Sequence, residues 1–176
     1  MATRKALDEA FEKLELQRHG LIERIVKFPP QDLATPPAAG GWSVAQVITH
    51  MAMIEEGSLA YLRKKYTGDR HRPVGAFSIL GVLLLKVALA SPIKFMAPAT
   101  VAAVPVLSFA EATARWDTVR HEMHSAYPTV KDEHLHHDLF KHPLVGRFDL
   151  VQALSFMHAH HQRHLGQIDR ILRSNV

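Results

Sequence analysis

"DLVQALSFMHAHHQRHLGQIDRILR", residues 149–173, decides the fold class. Asp149 is a short polar residue of the kind that caps a first helical turn, and Gln152, three residues on, can reach back to the cap. Ala153, Phe156, Met157, Ile168 and Ile171 then recur at helical spacing, which predicts one long amphipathic helix. His160 and His164 lie one turn apart on its apolar side, about 6 Å along the axis.

The same start device occurs twice upstream, at Ser43…Gln46 and Ser108…Glu111. It predicts a helix from Ser43 to about Tyr66, ended by Gly68, and another from Ser108 to about Tyr127, ahead of Pro128. Val44, Val47, Ile48, Met51, Ile54, Leu59 and Leu62 supply the apolar stripe of the first of these. An earlier helix, roughly Thr3 to Phe28, carries Leu7, Phe11, Leu14, Leu21, Ile25 and Val26 and stops at Pro29-Pro30. No stretch alternates long enough to predict a strand. The expected class is therefore all-α, a four-helix bundle with one long crossover at 67–107 that carries an extra apolar helical segment.

The chain has 176 residues, which predicts a single domain over 1–176. Apolar residues make up 47% and charged residues 22%, as in a folded globular protein. The net charge of +4 is scattered and has no interleaved aromatic residues, so nucleic acid is not an expected partner. The opening "MATRKALDEAFEKLELQ" becomes charged where a secretory signal needs an apolar run, which predicts a cytoplasmic location. "FSILGVLLLKVALA", residues 77–90, is short of the roughly 20 apolar residues of a membrane span and contains Lys86. It is expected to cover one end of the domain or to meet a partner subunit, without stable membrane insertion.

Cysteine is absent, so any metal site must use histidine, carboxylate or water. Histidine, with 13 residues, is the unusual component. His160 and His164 can share one ion. Equally, a buried histidine is often a hydrogen-bonded core residue, and the spacing alone leaves both readings open. A metal needs a third ligand from another helix, for which His50 in "GWSVAQVITHM" is the candidate, at the edge of its apolar stripe. His158 projects away from the pair and is expected in solvent. His161 is turned by about 100° from His160, so it does not readily join the ion held by the pair and is a candidate to support a ligand or line the pocket. His121, His124 and the "HLHH" run at 134–137 are expected at the surface.

"GWSVAQVITHM" resembles the second-helix signature of the DinB-like (YfiT-like) metal-dependent proteins, where a Trp-Ser helix start precedes a ligand histidine. "HHQRHLGQI" is similar to their fourth-helix signature. "IKFMAPATVAAVP" and "HPLVGRFDL" are similar to segments of the DinB_2 branch, so the resemblance spans most of the chain. It implies that His50, His160 and His164 form a metal triad for zinc, nickel or a similar divalent ion. It also implies a four-helix bundle, often a homodimer. Members with assigned activities include transferases and isomerases that use low-molecular-weight thiols.

Three protein ligands leave a coordination position open, as in catalytic zinc sites. The ion can activate water for hydrolysis or hold an external thiol as the thiolate. The lack of cysteine is consistent with the thiol route, and a small-molecule substrate is expected in either case. A metal-stabilised interaction protein is the non-catalytic alternative. Glu55 is the candidate general base, although a carboxylate at that position is more often solvated or ion-paired. Gln167 could orient a ligand, and Trp42 is expected to staple its helix start.

Overall fold

A computed structural model describes residues 2–68, 70–91 and 103–174. Its long helices are α1 (Arg4–Ile25), α3 (Val44–Thr67), α4 (Ala76–Ala90), α5 (Phe109–Ala126) and α6 (Leu150–Ser174), and a short α2 (Pro30–Ala34) follows α1. α3 packs most extensively on α5, and α1 on α6, with α3 also against α6. The all-α expectation holds, with four core helices close to the expected bounds.

All three capping boxes close with both reciprocal bonds. Gln46 N–H donates to Ser43 Oγ at 3.2 Å and Ser43 N–H to Gln46 Oε1 at 3.1 Å. Glu111 and Ser108 repeat the exchange, as do Gln152 and Asp149, whose two bonds are 2.8 and 3.1 Å. Each box satisfies two backbone donors that a helix start leaves open, and so fixes the phase of the face that follows. For α6 that phase turns His164 inward with Phe156, Met157 and Ile168. In α1 the buried residues Leu7, Leu14, Leu21 and Ile25 line one stripe, the first three spaced by seven.

Two short elements lie outside the sequence reading. α2 places Leu33 fully inside, against α3, which explains why the first half of α3 is buried on more than one face. A two-stranded antiparallel sheet, β1 (Phe140–His142) and β2 (Gly146–Phe148), pairs Phe140 with Phe148 and precedes α6. Gly146, at φ 97, supplies the left-handed conformation that closes its turn. Strands of three residues carry too few positions for alternation to be recognised. The hairpin buries Phe148 and stacks it on Phe140, whose ring lies 5.9 Å from Phe156 of α6.

The apolar segment of the crossover is helical, as expected, and lies along α6. Gln152 accepts from Ser78, Lys86 Nζ donates to Ser155 Oγ at 3.0 Å, and Arg163 donates to the Leu89 and Ser91 carbonyls that end α4. Gly81 lets the helix approach the hairpin, because a Cβ there would lie 3.2 Å from the Val145 carbonyl oxygen. The opposite face shows Phe77, Ile79, Leu80, Leu83, Leu84 and Val87 to solvent, with Phe77 89% exposed. Most of "IKFMAPATVAAVP" lies outside the described residues. Among the described residues no helix is long and apolar enough to cross a membrane.

Candidate metal centre

The box at Ser43 starts α3 so that His50, in its second turn, faces α6. His50 is 3% exposed, with the partly buried Trp42 ring 4.9 Å away. Opposite stand His160 and His164, whose ring centroids lie 5.4 and 5.0 Å from that of His50. One nitrogen from each of the three rings lies within 4.8 Å of the others. The structure thus brings together the three histidines selected from sequence.

Two observations test whether these residues fit an ion. His160 Nε2 and His164 Nε2 are 3.2 Å apart. Two nitrogens each about 2.0–2.1 Å from a tetrahedral ion lie about 3.3–3.4 Å from one another, so this pair already has chelating separation. The second observation is Gln167, one turn beyond His164, whose Oε1 is 2.8 Å from His164 Nδ1. An amide oxygen can only accept, so this bond puts the His164 proton on Nδ1 and leaves Nε2 as a lone pair directed at His160. His160 Nδ1, by contrast, is shut from solvent with no hydrogen-bond partner. The donor set fits a borderline divalent ion such as zinc or nickel.

Burial sets the protonation state. It pushes His164 down to about 4, with the neighbouring His50 adding to the effect and the Gln167 bond opposing it. His160 is driven well below the usual histidine range by burial first and then by the His164 and His50 rings. Both are therefore neutral near pH 7, the form that ligates metal.

Glu55, the expected general base, is fully buried and already engaged. Arg120 donates to its two oxygens through Nε and Nη2 at 2.6 Å each, and Trp116 Nε1 donates at 3.1 Å. Arg120 Nη1 also reaches Glu15 Oε1 of α1 at 2.6 Å, and Arg18 donates to the other Glu15 oxygen at 3.0 Å. Burial pushes the Glu55 carboxyl up, against the pull of Arg120 and Trp116, while Arg120 itself is held up by the two carboxylates it serves. Burial prevails at Glu55, whereas at Arg120 the two carboxylates prevail over burial. The carboxylate is thus held inside the helix packing, with Oε2 taking two of the three bonds and Oε1 one.

His161 is buried beside this network rather than in the triad. Its Nε2 lies 3.2 Å from Glu55 Oε1 without hydrogen-bond alignment, and its ring meets Trp116 edge-on at 5.5 Å. His158 is part-buried, not solvated, and Gln17 of α1 donates to its carbonyl. His121 and His124 are exposed, as expected. In the 134–137 run His136 is exposed, as expected, but the other two histidines are not. His134 and His137 are half-buried and meet His71 in a second three-histidine group, also with donor nitrogens within 4.8 Å. No signal pairs these residues in the sequence, since His71 sits in the crossover, 66 residues before His137.

The sequence model of the DinB superfamily, DinB_2, matches residues 13–168. No curated protein and no solved structure matches the chain.

Proposed function

The chain belongs to the DinB superfamily, and on that premise we propose that it is a metal-dependent enzyme that transfers a low-molecular-weight thiol onto a small electrophile. The observation that carries this reading is the convergence of His50, His160 and His164 with the Gln167 bond behind His164. A bound divalent ion would supply Lewis acidity at a position the protein leaves open, favouring the ionised form of an incoming thiol or water. The chain's own residues do the rest. His50, His160 and His164 hold the ion, and Gln167 fixes the tautomer and ring orientation of His164. Trp42 and Phe156 flank the rings and limit water access, Phe156 at 5.7 Å from His160.

Glu55, Arg120 and Trp116 act as a buried brace that keeps α3, α5 and α1 in register. The thiol reading gains from the absence of cysteine, because the attacking sulfur then arrives with the co-substrate. The S–H bond of the thiol breaks with its proton passing to solvent, the new bond joins the sulfur to the substrate's electrophilic carbon, and the leaving group departs with its electron pair. Metal-assisted hydrolysis is the second reading, favoured by the same open position. The exposed apolar face of α4 supports a homodimer formed through that helix.

Two measurements test the reading. Zinc titration of untagged, chelator-treated protein is expected to lose one equivalent in His160→Ala. An electrophile panel assayed with and without glutathione or another small thiol is expected to turn over only with thiol. Turnover that needs no thiol overturns the transferase reading in favour of hydrolysis. Titration unchanged by His160→Ala overturns the triad.

A further inference from the structure

We propose that His71, His134 and His137 form a second divalent transition-metal site, separate from the helical triad, that clips the segment after α3 to the connection before the hairpin. The rings make a compact triangle, with centroids 4.3 Å apart for His71–His134, 4.9 Å for His71–His137 and 5.0 Å for His134–His137. This is as tight as the triad of α3 and α6, where the separations run from 4.5 to 5.4 Å. The sites are distinct in space. Seventeen residues of α3 separate His50 from the helix end at Thr67, about 25 Å of helical rise, and His71 lies beyond that end.

The backbone presents the three rings on a fixed platform. Asp138 N–H donates to the Arg72 carbonyl at 2.8 Å, Val74 N–H donates to the His136 carbonyl at 2.9 Å, and Pro73 faces His137 in an isolated antiparallel bridge. Asp138 Oδ1 accepts from Arg72 N–H at 2.8 Å, and its other oxygen is held by Arg147 and Lys65. A turn closed by His137 N–H on the His134 carbonyl, 2.9 Å, sets those two side chains together. Tyr66, in the last turn of α3, stacks on His71 at 5.6 Å and meets His134 edge-on at 5.8 Å.

The donor atoms themselves point to a cation. His71 Nδ1 and His137 Nδ1 are 2.6 Å apart, a separation at which the N–H of one ring donates to the lone pair of the other. His134 Nδ1 is shut from solvent with no hydrogen-bond partner. An ion in the triangle would shift the donor ring to its Nε2–H tautomer, so that both Nδ1 atoms present lone pairs, and would engage the orphaned nitrogen. About 0.7–0.8 Å of opening brings the close pair to tetrahedral spacing. The Asp138 oxygens are committed elsewhere, so the set is imidazole alone, which selects zinc, nickel or copper over magnesium or calcium. The rings are only half-buried, so water completes the coordination and the ion acts as a clip between two chain segments.

The test is a zinc titration of the chelator-treated, untagged full chain, followed by calorimetry and by thermal unfolding with and without zinc. Wild type is expected to bind two equivalents. His71→Gln and His137→Ala are each expected to lose one and keep the one that His160→Ala removes, with unchanged circular dichroism. In the His160→Ala background, zinc is expected to raise the melting temperature, and adding His71→Gln is expected to abolish that rise. A single equivalent sensitive to His71→Gln but not to His160→Ala supports this site and overturns the triad. Titrations of His71→Gln and His137→Ala that match wild type, or a wild type that binds no zinc, overturn the second site.

Discussion

The two three-histidine groups sit toward opposite ends of α3 and are built in opposite ways. At one end, two histidines share a face of α6 one turn apart and the third comes from the facing helix, so helix phase brings all three together. His50 and His164 are buried and His160 is half-buried, and Gln167 holds one ring. At the other end, His71 and the 134–137 turn come from connections with no regular structure to orient them, and main-chain bonds between residues 72–74 and 136–138 do that work. The helical histidines are held by burial and packing, whereas the loop histidines are held by a few hydrogen bonds between two connections. The first group should therefore be the tighter and more rigid, the second the more easily loosened.

The largest expected effect breaks the helical end while sparing the loop end. Arg120→Ala removes the guanidinium between Glu55 and Glu15 and leaves Glu55 charged or protonated in a dry interior. Breaking a buried pair in this way costs about 3–5 kcal/mol. Urea unfolding should show a loss of that order, and zinc affinity should fall at the triad before it falls at the loop group. An unchanged unfolding midpoint would mean that the network does not brace the helices.

A narrower substitution sharpens the contrast. Gln167→Ala takes away the acceptor that holds His164 in its ligating tautomer. Such supporting bonds are worth about 10–100-fold in metal affinity, and the loss should appear only in the phase of the titration that His160→Ala removes. The helical end should also carry the acid sensitivity. Burial would raise Glu15, yet Arg120 and Arg18 together hold it below its ordinary value of 4.5. A depressed carboxyl stabilises the fold above its unfolded value, and that contribution is lost as pH falls through the folded one. The stability gap between wild type and Glu15→Gln, measured by urea unfolding, should therefore narrow below pH 4.5.

The same contrast explains what could be read from sequence. Periodicity and capping boxes are local signals, and they carried the four core helices, the inward pair at His160 and His164, and the place of His50. Glu55 was legible as a residue near an apolar stripe, but its partners Arg120 and Glu15 lie 65 and 40 positions away, so its role was not. The hairpin was too short to alternate visibly, and its pairing depends on Gly146 and on two phenylalanines meeting α6. His71 and His137 had no shared period at all. Their meeting depends on one isolated bridge between two loops, a contact that no periodicity records.

The smallest expected effect probes the loop end alone. Lys131 N–H donates to the Tyr66 hydroxyl at 3.0 Å, a bond that anchors the start of the 131–138 connection to the last turn of α3. Tyr66→Phe removes that acceptor but keeps the ring that stacks on His71. An exposed bond of this kind contributes about 0.5 kcal/mol, the lower end of the usual range, so global stability should scarcely change. Because His134 follows the anchor by three residues, its ring should sample more positions, and zinc affinity at the loop group should fall by about two- to threefold, as the same free energy requires. The helical triad should titrate as in wild type. Equal weakening at both groups would show that the two ends of α3 are coupled through the helix, and would end the picture of one rigid site and one independent clip.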